Sequence, residues 1–123
     1  MISRAEAIKL KRIYAPPADT DGTRLLVDGL WPRGLSKDRV ALDAWLKDIA
    51  PSAELRQWFN HEPDRWEEFR KRYYVELQGK KDEVKLVLDY IKKGPLTLLY
   101  AARDDEHNNA VVLRDFLVER MSD

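Results

Sequence analysis

Apolar residues recur along this chain with two different periods, and the switches between them mark its elements. Ile8 and Leu10 alternate with Lys9 and Lys11, the period-two pattern of a strand that reads from Ile8 to Tyr14. Its lysines suit the edge of a sheet, where charge discourages pairing with another chain. Ala15-Pro16-Pro17 stops this strand, and the polar stretch 18–23 turns at Gly22. Residues 24–28 form a short buried strand. From Leu35 to Asp48 the pattern supports two readings. Ser36 suits the cap of a short helix, while Leu42, Ala44 and Leu46 alternate as a strand would.

Beyond Pro51 the period becomes helical. Ser52 is placed to cap a helix that ends near Phe59. Pro63 fits the first position of the next helix. There Trp66, Phe69, Tyr73 and Leu77 share one face, which predicts that all four are mostly buried, and Gly79 is the stop. Val84, Val87, Leu88 and Ile91 stripe a third helix, ended by Gly94-Pro95. Leu96 to Ala101 is a continuous apolar run of strand length, the mark of a strand covered on both faces and typically parallel to its neighbours. A last helix spans about Asn109 to Met121. Val112, Leu113, Phe116, Leu117 and Met121 surround so much of it that it must be well buried.

This order predicts an α/β fold: a small, mainly parallel sheet packed with helices, in a single domain over residues 1–123. A right-handed crossover then sets the carboxyl ends of strands 24–28 and 96–101 at the same edge of the sheet. Open α/β sheets bind their ligands outside such ends.

Charge and composition narrow the chemistry. Lysine plus arginine number 22 and aspartate plus glutamate 22, so the net charge is zero. That argues against nucleic acid as the partner, because nucleic-acid binders carry a basic excess. With no cysteine, the chain has no thiolate metal site, iron–sulfur cluster or cysteine nucleophile. No stretch approaches the ~20 apolar residues of a membrane span, and the N-terminal MISRAEAIKLKRIY has no leader-like apolar core. The expected setting is the cytoplasm, with no membrane partner.

Two strand-to-loop segments hold the candidate site. In the first, Asp28 to Lys37, Gly29 and Gly34 permit sharp turns and Pro32 stiffens the loop. Arg33 is a fixed cation suited to a carboxylate or phosphate, and Trp31 offers a flat face. The structural alternative has Trp31 plugging the core and Arg33 pairing with Asp28. In the second, Arg103 to Asn109, His107 titrates near neutrality and is the best general acid or base available. The start of the following helix favours anions, and Asn108 or Asn109 can cap it. An acidic turn there also complements the helix dipole whatever the function. His107, Asp28 and Asp104 are therefore the candidate catalytic groups, with Arg33, Trp31, Arg103 and Asn108 as candidate ligand contacts around a small anionic or nucleotide-like molecule. Alternatively the chain is a non-catalytic regulatory or interaction module, with nucleic-acid association through a local basic patch ranked below it.

Other chemistries lack their motifs. His61, Asp104, Asp105, Glu106 and His107 show no zinc spacing, so no metal is expected. No GxGxxG, P-loop or GxSxG occurs, so no cofactor is expected and no nucleophile stands out. The aromatic and basic residues between Arg56 and Tyr73 are interleaved with acids, as on an ordinary solvated helix.

The chain resembles the YeaO-like family of bacterial proteins, whose function is unknown. The likeness runs from Ile8 to about Glu119. It is carried by VDGLWPRGLSK at 27–37, LDAWLKDIAPSAELRQWFNHEPDRWEEFRKRY at 42–73 and GPLTLLYAARDDEHNNAVVL at 94–113. The resemblance implies a compact α/β domain. The family's first motif usually reads DRLWPRG, with arginine where this chain has Gly29. Its last motif usually reads HNHA, with histidine where this chain has Asn109.

Overall fold

The computed structural model describes residues 7–121, so the first six residues of the stretch read for a leader lie outside it. Four strands, β1 (Ile8–Arg12), β2 (Thr23–Leu26), β3 (Ala44–Trp45) and β4 (Leu96–Tyr100), form one sheet in the order β1-β4-β2-β3. All three pairings are parallel. The lysine-bearing β1 is an edge strand, and β4 takes the centre, with all five of its residues buried. The helices are α1 (Ala53–Phe59), α2 (Trp66–Gln78), α3 (Lys81–Lys93) and α4 (Asn109–Met121).

The sheet's two faces are covered differently. Leu25 and Val27, with Leu96, Leu98 and Tyr100, point into the main core, which α1 to α4 complete. Leu26 and Leu99 point the other way, into a smaller cluster with Ile13 and Val40 that Trp31, Leu35, Leu42 and Trp45 border. Among the described residues no α-helix covers this second face; the connection from β2 to β3 does. That explains the double pattern of Leu35 to Asp48. The segment holds a 3-10 turn at Lys37–Arg39 and the two-residue strand β3, so each reading describes part of it. Ser36 occupies the cap position of the turn, but its side chain makes no capping bond.

Elsewhere the local chemistry works as the pattern requires. The Ser52 hydroxyl accepts from the Leu55 N–H at 3.1 Å and caps α1. Pro63 opens a separate 3-10 turn, Pro63–Arg65, and α2 begins only at Trp66. Phe69, Tyr73 and Leu77 are buried to within 2%. Trp66, by contrast, is half-buried: it starts its helix at the margin of the core, with one side against Phe59 and Phe69 and His107 at its edge.

One buried ionic cluster has no hydrophobic pattern to announce it. Arg24 and Asp21, 5% and 4% exposed, form an ion pair on the second face of the sheet. Arg24 also donates to the carbonyls of Val40 and Ala41, both at 3.0 Å. Lys11 reaches Asp21 at 3.0 Å, and Thr97 donates to the Asp21 carbonyl. Gly22, at φ +65°, seats this corner: a Cβ there would lie 2.2 Å from the Pro95 carbonyl oxygen. Among the described residues, no helix is long and apolar enough to cross a membrane.

Candidate functional site

β2 and β4 lie side by side and parallel, with Leu26 paired to Leu99, so their carboxyl ends open at one edge. From there the chain leaves in opposite directions. The loop after β2 packs on the second face, whereas α4, after β4, packs into the main core. This divergence makes a crevice at the strand ends, as in other open α/β sheets.

The crevice has an inner chamber of about 390 Å³. Asp28, Gly29 and the Trp31–Arg33 segment form one wall, and Ala101, Ala102 and His107 to Asn109 form another. Arg56, Phe59 and His61, from α1 and the residues after it, close the third side. A more open basin of about 840 Å³ shares Tyr14, Arg33, His61, Ala101 and Ala102 with the chamber, and adds Arg12, Arg103 and Asp104.

Asp28 lies at the join of the two strands. Its Oδ2 accepts the Ala101 N–H at 2.9 Å, and its carbonyl accepts the Trp45 indole N–H at 2.8 Å. Its Oδ1 is buried and has no hydrogen-bond partner among the described residues. Burial pushes its pKa above the ordinary carboxylate value, opposed by the Ala101 N–H, by Asn109 and by the charges of Arg56 and His61. The Asn109 amide lies beside the carboxylate and also donates to the Val27 carbonyl at 3.0 Å. The Asp28–Arg33 pair of the structural alternative is absent among the described residues. The guanidinium near Asp28 is that of Arg56, which also lies over Gly29: a Cβ on Gly29 would come 2.7 Å from its Nη1.

His107 and Asp104 form a pair, Nδ1 to Oδ2 at 2.9 Å. Hydrogen bonds from the Glu106 N–H and the His107 ring, with that of the His107 N–H, hold the Asp104 carboxyl below its ordinary pKa. An ionised Asp104 accepts, so Nδ1 carries the proton and Nε2 is the free nitrogen of a ring that lines the inner chamber. Asn108 is 2% exposed and fully committed. It donates to the Asp104 carbonyl and accepts the Val111 N–H, capping α4. Loop side chains thus take up the N–H groups of Glu106 and His107 before the helix and that of Val111 in its first turn.

The remaining expected residues divide by exposure. Trp31 borders the chamber, yet its indole donates to the Leu35 carbonyl at 2.7 Å and packs edge-on against Trp45. Arg33 and Arg103 are exposed, and their side chains have no hydrogen bond or ion pair among the described residues. The backbone carbonyl of Arg33 is held by the Tyr14 hydroxyl at 2.9 Å.

The sequence reading missed the wall from α1. Helical periodicity marks which residues of α1 face inward, not which strand end they reach. A local signal existed in Asn60-His61, a polar break between helices, where both residues adopt left-handed conformations at φ 47° and 54°. Such non-glycine conformations cluster at functional sites. Among the described residues, no group of three or more His, Cys, Asp or Glu side chains could hold a metal ion.

Comparisons with known proteins agree on a family. The family model described as "Inactive DUF488-N3 subclade" matches residues 7–123. The chain is 48% identical over 110 residues to the uncharacterised protein YeaO of Escherichia coli K12, covering 89% of this chain and 96% of that one. It is 36% identical over 114 residues to the uncharacterised protein Rv3073c of Mycobacterium tuberculosis H37Rv, covering 93% and 96%. A Mycobacterium bovis protein, Mb3100c, matches to the same extent. No solved structure matches the chain.

Proposed function

The chain belongs to this YeaO-like family of unknown function, the inactive DUF488-N3 subclade, and from that premise we propose that its crevice binds a small anionic ligand in the cytoplasm without transforming it. The observation that carries this reading is Asp28 Oδ1. A buried carboxylate oxygen without a donor costs stability unless something supplies one. This oxygen belongs to a residue lining a chamber of about 390 Å³, within the size range of small-molecule sites. A ligand N–H or O–H is the natural complement. Arg56 lines the same chamber and supplies positive charge. The description of the subclade as inactive, and the absence of a placed nucleophile among the described residues lining the chamber, favour binding over turnover. The cysteine-free composition suits a reducing compartment.

A second reading has its own observation. The His107–Asp104 pair, with Nε2 free, is the arrangement of an oriented general base. Under that reading the bound ligand loses or gains a proton at His107.

The test is a thermal-shift screen of small anionic metabolites against the wild type and Asp28→Asn. A specific ligand raises the melting temperature of the wild type by mass action and not that of the variant. Equal shifts in both proteins, or none in the wild type, would remove Asp28 from the site. Incubating any ligand found with the wild type and His107→Ala separates the two readings, since only the second predicts product that His107→Ala fails to make.

Without ligand, Asp28→Asn is expected to be more stable than the wild type at neutral pH, by roughly 1 kcal/mol. The sign follows from linkage. A carboxyl whose folded pKa is raised destabilises the fold when ionised, and that handicap disappears as pH falls through the raised value towards 3.8. The variant's advantage should therefore shrink on acidification. Denaturant titrations of both proteins at several pH values measure it, and an advantage independent of pH contradicts the assignment.

A further inference from the structure

We propose that the ligand is a nucleoside monophosphate, its ring seated in the inner chamber on Asp28 and its phosphate in the outer basin between Arg33 and Arg103; this rests on the reading that the crevice is a binding site. The two cavities differ in chemistry. Around Asp28 the inner chamber is walled by Phe59, Phe69 and the Gly29–Pro32 segment, surfaces that accept a flat ring. Asp28, whose buried Oδ1 has no partner among the described residues, lines this chamber and suits a ring N–H or a sugar hydroxyl.

The outer basin is cationic. Three arginines line it, Arg12, Arg33 and Arg103, against one carboxylate, Asp104, which leaves two positive charges. Asp104 forms no ion pair with these arginines among the described residues. Its oxygens are occupied by the His107 ring and by the N–H groups of Glu106 and His107. Arg12 is partly spent on the carbonyls of Ala101 and Ala102, whereas Arg33 and Arg103 present whole guanidinium groups. A phosphomonoester carries about −1.5 to −2 charges at neutral pH and so matches this surplus, which a single carboxylate does not. Guanidinium forks also bind phosphate bidentately.

The connection between the cavities sets the order of the ligand's parts. Tyr14, Arg33, His61, Ala101 and Ala102 border both, so a molecule leaving the inner chamber enters the basin directly. A ring, a short linker and a terminal phosphate follow that path.

The experiment pairs the common nucleosides with their 5′-monophosphates, adds inorganic phosphate, and measures binding by titration calorimetry. The proteins are the wild type, Asp28→Asn and Arg33→Ala/Arg103→Ala. The double variant changes only exposed side chains without hydrogen-bond or ion-pair partners among the described residues, and circular dichroism checks its fold. For at least one pair, the monophosphate should bind the wild type about tenfold or more tightly than its nucleoside, as charge-assisted hydrogen bonds would give. The double variant should abolish that preference while keeping the nucleoside's affinity, and Asp28→Asn should weaken both members.

Equal affinities within every pair overturn the phosphate assignment, as does a preference that survives in the double variant. Inorganic phosphate binding as tightly as any monophosphate overturns the ring assignment. If no nucleoside or monophosphate binds, the proposal falls. The broader reading then stands or falls separately, on whether another anion from the metabolite screen shifts the wild type and not Asp28→Asn.

Discussion

Phe69→Ala is expected to cost about 3–5 kcal/mol of unfolding free energy, the range for deleting a buried aromatic ring. Phe69 is 2% exposed and stacks on Phe59 at 4.3 Å between centroids, with Trp66 and Tyr73 within 6 Å. Removing it opens a void bounded by rings on a helix and on its neighbour, and neither backbone can collapse to fill it cheaply. Because Phe69 also borders the inner chamber, the variant joins that void to the chamber. Trp66→Ala should cost less, since part of its ring already faces water. Urea denaturation of the three proteins measures both values. A loss for Phe69→Ala below that for Trp66→Ala contradicts the packing described.

Asp21→Ala carries the second large effect, about 3–5 kcal/mol, the usual cost of removing one partner from a buried pair. Most of that is not the lost attraction. Arg24 would remain buried with only the neutral carbonyls of Val40 and Ala41 for partners, a charge without a counter-charge. The pH dependence gives a separate check. Burial alone would raise the Asp21 pKa, but the Ala18 N–H, Lys11 and Arg24 outweigh it and lower the value below 3.8. A lowered folded pKa contributes stability above the unfolded value and loses it as pH falls through the folded one. The wild type should therefore lose part of its lead over Asp21→Ala in strong acid. A lead that stays constant down to that range would mean Asp21 is not held ionised.

These two sites also show what was legible in the sequence. Phe69 announced itself through the spacing of Trp66, Phe69, Tyr73 and Leu77, and three of the four are buried as that spacing predicts. Trp66 departs because periodicity assigns a face but not a distance from the end of the helix, where the core thins. The strand 96–101 was readable for the same reason, since an unbroken apolar run demands cover on both faces. The Asp21–Arg24 pair was not readable. Its partners come from the turn before β2 and from the carbonyls of residues 40 and 41, and no period links them.

The crevice divides in the same way. Asp28, Arg33, Arg103, Asp104 and His107 were found because they follow apolar strands, and they do border the two connected cavities. Arg56 and His61 were missed because α1 reaches the strand ends only through the packing of the whole chain. At the helix start anticipated for an anion, Asn108 takes the Val111 N–H, and in the loop before it Asp104 takes those of Glu106 and His107. Local composition could not distinguish a loop that offers its N–H groups from one that uses them.

The strand order bears on how the molecule comes into being. β4 is the last strand in the chain, yet it is the one that joins β1 to β2. Until residue 100 has been synthesised, β1 has no neighbour to pair with, and β2 can hold only the two-residue β3. Before β4 is in place, Leu25, Leu26 and Val27 lack the strand they bond to in the finished sheet. Such distant pairings are slow to form, and a chain cut short before Leu96 keeps at most the short β2–β3 pairing.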